Sequence, residues 1–456
     1  MSVPLLEKEL GIEVYASKTL GIGGKIRQFP EDFIVEETLV DGSEAKVIPT
    51  NIPQIVGRGR YLVCVLVKRN WDTLRAVRNI AKQLSINEEH IQIAGIKDAK
   101  ALTAQHVSIS CYSGVTPEHV LRVKTKDINL YPQHFSNEKI SSQRLLGNRF
   151  TIQIRAILCS LSTAKRRMQS ISNELAEFGG IPNFFGHQRF GTIRPITHKV
   201  GKFIVQRDWE KATLTFLCKS SLHEHPQSRQ ARQQLETSQD FREAQKYFPR
   251  TLYYERSMLS HLAGHSRDYV GAFRKLPLKL CRLFIHAYQS FLFNRFLSQR
   301  IKKGILLNTA QLGDYIVKLD SHGLPTASFA QVSAQSLPSI QKAIEEKKMC
   351  MAIPLIGFKQ HFSGGMQGGI EKGILETENL TPTDFKVSSM PQISAPGGLR
   401  ANRTPIISFS IRELSEDSAN PSSQALKLGF MLHRGCYATV LLREFMKPRD
   451  LIKTGF

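Results

Sequence analysis

The sequence predicts a soluble globular protein of mixed α/β kind, folded as two or three domains. Three observations carry this. The chain has 456 residues, too many for one ordinary core. Its apolar content of 41% and mean hydropathy of −0.22 are those of a globular protein with ample core. Along it, apolar and alternating stretches of strand type are interleaved with stretches of helical period, and the composition shifts near residues 180–220 and 360–390.

Charge narrows the partners. Lys and Arg number 62 against 39 Asp and Glu, a net +23 with a pI near 9.8. That exceeds what solubility requires and implies a polyanionic partner, nucleic acid first and an anionic membrane surface second. Seven cysteines lie scattered with no C-x-x-C, against a disulfide framework or a structural zinc site. The opening MSVPLLEKELGIEVY lacks the basic-then-apolar layout of a signal peptide, and no run of eighteen apolar residues occurs. A reduced, cytoplasmic protein without a membrane span is expected.

In chain order, KIRQF and DFIVEE read as two extended pieces around a turn at Pro30. The preceding GIGGK lacks the spacing of a phosphate loop. YLVCVLVK (61–68) is a buried strand, and Asn70 and Asp72 open a helix with Leu74, Val77, Ala81 and Leu84 on one face. A strand at Ile91–Ala94 follows, then more strands ending in Gly147–Arg155, where Phe150, Ile152 and Ile154 alternate with Thr151, Gln153 and Arg155. A helix over about 163–178, with Ala164, Met168, Ile171, Leu175 and Phe178 as its stripe, stops at Gly179. GIPNFFGHQRFG (180–191) suits a shaped loop whose Phe184 and Phe185 either stack on bases or staple two domains together.

Residues 219–250 are polar and charged, with no assigned role, and a helical block then runs to Lys303. It starts near Pro277, carries Phe284, Ala287, Tyr288, Phe291 and Phe296 on one face, and closes at Gly304. His223, His225 and His261 have surface rather than metal-site spacing. Residues 310–358 form a small strand–helix region, SGGMQGG (363–369) a flexible loop, and 385–410 extended structure with turns. Leu426–Lys447 reads as strand, turn and a helix from about Ala438, and no solenoid repeat occurs.

The stretch QIAGIKDAKALTAQHV (92–107) carries the chemistry. Asp98 follows a strand and a glycine turn and sits beside Lys97, so its carboxylate can be rigid, ionised and exposed at once. Alternatively it only caps local N–H groups. Arg27 and Phe33 are the other residues of interest upstream, with a surface cation and a strand-core aromatic as the plainer readings.

Five stretches taken together resemble the TruD family of tRNA pseudouridine synthases, in its archaeal-type form. They are PEDFIVEE (30–37), GIKDAKALTAQ (95–105), GNRFTI (147–152), GIPNFFGHQRFG (180–191) and YATVLLREFMK (437–447), in matching order over nearly the whole chain. The resemblance implies that Asp98 is the catalytic aspartate, that Phe33, Asn148 and Tyr437 line the uridine pocket, and that Phe150 lies against the target base. It sets Arg27 near the active site. Tyr437 departs from a position that can be Phe in relatives, and 398–406 fits the family's arginine-rich pattern only loosely, leaving RNA contacts by Arg400 and Arg403 open.

The resemblance also implies a pseudouridine-synthase-like catalytic domain around a mixed, mainly antiparallel sheet, formed by residues 1–180 and 385–456. A TRUD-type α/β domain, 181–384, would be inserted, with the RNA cleft between the two. Uridine 13 of tRNA is the implied target. The reaction needs no cofactor or metal, and the chain displays no convincing site for either; a monomer is the favoured state. A non-catalytic RNA-binding protein is the alternative. A phosphotransferase or hydrolase using Asp98 lacks a D-x-D pattern, a Walker loop and a ligand cluster.

Overall fold

The computed structural model describes residues 2–49 and 55–456. It has two compact units, one of Thr19–Asn173 with Thr404–Phe456 and the other of Met1–Lys18 with Glu174–Arg403.

The first unit is built on a mixed sheet with eight strands among the described residues. Their order is Ile407–Glu416, Gln424–His433, Leu145–Ile157, Phe33–Leu39, Leu102–Ser110, Tyr61–Arg69 and Ile128–Ser136, with short Ile91–Ile93 beside Leu102–Ser110. Phe33–Leu39 runs parallel to Leu102–Ser110; the other pairings are antiparallel. The mixed, mainly antiparallel sheet is thus the one expected.

The strand Tyr61–Arg69 is buried from Leu62 to Lys68 because both its faces are covered. Leu62, Cys64 and Leu66 pack with Ala76, Val77, Ile80 and Ala81 of the helix Thr73–Gln83, and Val65 and Val67 pack with Ala45 and Ala104. Asp72 caps that helix, accepting from Arg75 N–H at 3.0 Å. The expected face needs one correction: Leu74 is 49% exposed. The stripe centres on Thr73, Ala76–Val77 and Ile80–Ala81, and Leu74 sits off its edge.

Helix Leu161–Glu177 buries Ala164, Met168, Ile171 and Leu175 as predicted. It stops in a Schellman motif: Gly180 N–H reaches Leu175 O at 2.7 Å and Gly179 N–H reaches Ala176 O at 3.1 Å, with Gly179 at φ +93°. Arg155 is no open cation; it bonds Asp32 at 2.8 Å and Asp417 at 3.0 Å, joining the two ends of the chain.

The second unit has an antiparallel sheet ordered Gly398–Ala401, Met349–Leu355, Tyr315–Leu319, Pro325–Gln331. Its main helix, Leu278–Lys302, buries Phe284, Ala287, Tyr288 and Phe296. Thr197–Val205 packs on it closely: a Cβ at Gly201 would collide with the Phe284 carbonyl oxygen. The charged 219–250 segment folds into the helices Pro226–Ser238 and Phe241–Tyr247. SGGMQGG is not a flexible loop but the start of the helix Gly365–Thr377. Its glycines are needed where backbones meet, since a Cβ at Gly365 or Gly368 would strike the Leu312 or Ser363 carbonyl.

Candidate active site

Parallel pairing explains how distant segments of the first unit meet. With Ile34 beside Leu102, the segments leading into these two strands end at the same edge of the sheet. Arg27 lies on one and Asp98 on the other. Arg27 Nη2 donates to Asp98 Oδ1 at 3.2 Å, and Nη1 donates to the Gly455 carbonyl at 2.9 Å. The guanidinium also lies 4.0 Å over the Phe33 ring. Arg27 is 9% exposed in its side chain and Asp98 34%, so the cation is sheltered while the carboxylate stays accessible. Burial pushes the Arg27 pKa below its ordinary value, and the Asp98 charge opposes that shift.

The backbone around Asp98 is held from below. Lys68, fully buried, donates to the carbonyls of Asp98 and Trp71, each at 2.7 Å. Desolvation lowers its pKa to about 8 against the opposing pull of Asp98 and Asp72. Thr73 Oγ1 accepts from Lys97 N–H at 3.1 Å, Gln105 Nε2 donates to Gly95 O at 3.2 Å, and Asn70 N–H donates to Ala101 O at 3.0 Å. A loop tied at Gly95, Lys97, Asp98 and Ala101 has little freedom, which is what a nucleophile of fixed geometry requires.

Lys97 itself turns inward. Its Nζ stands 2.6 Å from Glu37 Oε1, an ion pair by distance though off the axis of a good hydrogen bond. Glu37 Oε2 accepts from His106 N–H at 2.8 Å. Burial raises the Glu37 pKa, but His106 and Lys97 together outweigh it and hold the carboxyl below its ordinary value.

Aromatic rings continue from Arg27. Phe33 meets Phe150 edge-on at 6.1 Å, and Phe150 stacks on Phe430 at 5.2 Å. Phe33 and Phe150 are 1% and 5% exposed, so both rings are covered and neither forms an open face. Asn148, two residues before Phe150 on one strand, shares its side of the sheet. Its Oδ1 is buried without a hydrogen-bond partner, a costly state unless something binds there. Gly147 precedes it because a Cβ there would collide with the Leu432 carbonyl oxygen. Tyr437 stands half-buried at the head of helix Ala438–Met446. Contacts therefore join Asp98, Arg27, Phe33 and Phe150, and Asn148 is linked to them along the strand it shares with Phe150.

Lys68, Thr73, Gln105, Glu37 and Gly455 escaped the sequence reading. Glu37 and Gln105 lie inside two of the five motifs, and Lys68 left a signal as a cation closing an otherwise apolar strand. In the second unit, Phe184 is fully buried and Phe185 is 9% exposed, so they are core residues rather than stacking surfaces. Arg400 bonds Asn183 Oδ1 at 2.7 Å and covers Phe185 at 4.0 Å, and Arg403 donates to Gly179 O at 2.9 Å. These two arginines brace their own unit. His261 pairs with Asp268 at 2.8 Å, and among the described residues no group of His, Cys, Asp and Glu is arranged to hold a metal. No helix among them is long and apolar enough to cross a membrane.

Three comparisons bear on this arrangement. A family model described as tRNA pseudouridine synthase D (TruD) matches residues 9–445. A Methanosarcina acetivorans protein named "Probable tRNA pseudouridine synthase D" is 37% identical over 453 residues, 99% of each chain. One of the same name from Methanopyrus kandleri is 38% identical over 395 residues, 86% of this chain and 87% of that one. The crystal structure of a Methanosarcina mazei protein, titled "Putative tRNA pseudouridine synthase D (TruD)", matches with a TM-score of 0.82 at 35% identity. It covers 98% of this chain and 99% of that one.

Proposed function

Since the chain belongs to the TruD family of tRNA pseudouridine synthases, we propose that Asp98 is the nucleophile with which it isomerises a uridine of tRNA, uridine 13 being the expected site. The observation that carries this is a carboxylate 34% exposed, 3.2 Å from a buried guanidinium, on a loop anchored at four points.

The reaction breaks the bond between N1 of uracil and C1′ of ribose and makes one between C5 and C1′. The C5 proton leaves to solvent and N1 ends protonated, so substrate and product are isomers. Asp98 attacks C1′ of the ribose or C6 of the base and is released unchanged at the end. An ordinary Asp is ionised at neutral pH, and Arg27 directs one oxygen of this one. The detached uracil has to be kept and turned. Asn148 Oδ1, which has no partner, supplies a hydrogen-bond acceptor for its edge, with Phe33 and Phe150 beneath and Tyr437 beside it. The base must first leave its stack, at roughly a few kcal/mol, which phosphate contacts by a chain of net charge +23 offset.

The test is tritium release from tRNA labelled at uracil C5, comparing wild type with Asp98→Asn, followed by mapping of the modified position. Release by the wild type alone, with tRNA affinity of the variant within a few-fold, is the expected result. Normal turnover by Asp98→Asn would sink the nucleophile assignment. Tight binding with no release by the wild type would favour the RNA-binding alternative, and a modification elsewhere would remove uridine 13.

A further inference from the structure

We propose that the segment Thr454–Gly455 is a positioning element of the active site, setting Arg27 against Asp98; this rests on the reading of Asp98 and Arg27 above. Arg27 has φ +57°, a left-handed backbone that a non-glycine residue keeps only where its surroundings over-determine it. Two flanking contacts do so. On one side, Lys25 and Arg155 exchange backbone hydrogen bonds at 2.7 and 2.8 Å, tying the segment to the end of the strand Leu145–Ile157. On the other, Ile26 N–H donates to Thr454 O at 2.9 Å, and Arg27 Nη1 donates to Gly455 O at 2.9 Å.

The tail is itself shaped for this. Asp450 Oδ1 accepts from Ile452 N–H at 3.1 Å and Lys453 N–H at 3.0 Å, and Thr454 N–H donates to Asp450 O at 3.2 Å. Leu451 and Phe456 are buried, anchoring the turn on both sides of the glycine. Gly455 has φ +87°, and a Cβ there would collide with the Ile26 carbonyl oxygen. Glycine thus allows the tail to lie flush against Ile26, so that its carbonyl reaches the guanidinium. With Nη1 on that carbonyl and the plane over Phe33, Nη2 points toward Asp98.

The experiment is a double-mutant cycle of Gly455→Val and Arg27→Ala, read as single-turnover rate and tRNA Kd, with thermal melting as a check on folding. A displacement of about 1 Å at a reacting group costs on the order of a hundredfold in rate. Gly455→Val is expected to lower the rate ten- to a hundredfold with Kd within about threefold, and to add nothing in the Arg27→Ala background. Should Gly455→Val not fold, a chain ending at Lys453 replaces it in the same cycle, with the same expectation. An undiminished rate in the Gly455 variant, or multiplicative losses in the double variant, overturns the proposal while leaving the Asp98 reading standing. An undiminished rate in Arg27→Ala overturns the pairing with Asp98 and the tail's role together.

Discussion

Lys68 grips Asp98 by its backbone: the buried ammonium donates to the Asp98 carbonyl at 2.7 Å and leaves the carboxylate untouched. The same Nζ holds the Trp71 carbonyl at 2.7 Å, so the turn before helix Thr73–Gln83 and the Asp98 loop share one cation. The main chain and the side chain of Asp98 are thereby held by different partners, Lys68 for the first and Arg27 for the second.

Lys68→Met is expected to keep the fold and damage catalysis. Removing a buried charge whose pKa has fallen from 10.5 to about 8 relieves roughly 3 kcal/mol at neutral pH. Leaving two carbonyls unpaired costs about 1–3 kcal/mol each. The net change lies between about −1 and +3 kcal/mol, whereas a loosened loop should reduce kcat at least tenfold with tRNA affinity retained. Denaturant unfolding and tritium release check the two halves; equal kcat would mean the loop is held without Lys68.

The same lysine predicts a pH dependence of stability. Its folded pKa lies below the ordinary value, so the burial penalty is fully present below pH 8 and fades as pH rises from about 8 toward 10.5. Over that window the wild type should gain stability relative to Lys68→Met. A constant difference between their unfolding free energies from pH 7 to 10.5 would show that Lys68 is not desolvated.

Glu37→Gln strands the Lys97 ammonium, whose side chain is 4% exposed, beside a neutral amide. Breaking a buried pair from one side costs about 3–5 kcal/mol, measurable by urea unfolding at pH 7. Glu37 has a lowered folded pKa, so its contribution is present above the ordinary 4.5 and disappears as pH falls through the folded value. The gap between wild type and variant should accordingly narrow in acid.

Gly147→Ala forces its methyl into the Leu432 carbonyl and pushes apart the strands Leu145–Ile157 and Gln424–His433. Overpacking of this kind costs about 1–3 kcal/mol. Because Asn148 is the next residue, kcat should fall further than the stability loss accounts for, as tritium release and melting temperature measured on one preparation would reveal.

Much of the fold is legible in the chain for a local reason. Residues 62–67 are apolar throughout because their strand is covered on both faces, and the Leu161–Glu177 helix displays its stripe and its terminal glycine in the sequence itself. Leu74 and SGGMQGG were misread for the opposite reason. Whether Leu74 faces the core depends on a few tens of degrees around the helix axis, and Gly364 and Gly365 answer to the distant backbone of Gly313 and Leu312.

The site divides in the same way. By itself the sequence determined the type of protein, through five ordered motifs and the positive charge, and it singled out Asp98, Arg27, Phe33, Asn148, Phe150 and Tyr437 as the residues to examine. Only the tertiary structure decided what surrounds them. A buried lysine thirty positions before Asp98, the carbonyl of Gly455 and the inward turn of Lys97 toward Glu37 are contacts between segments remote along the chain. They depend on which strands lie side by side and in which direction, and one parallel pairing in a mostly antiparallel sheet is what brings Arg27 and Asp98 to the same edge.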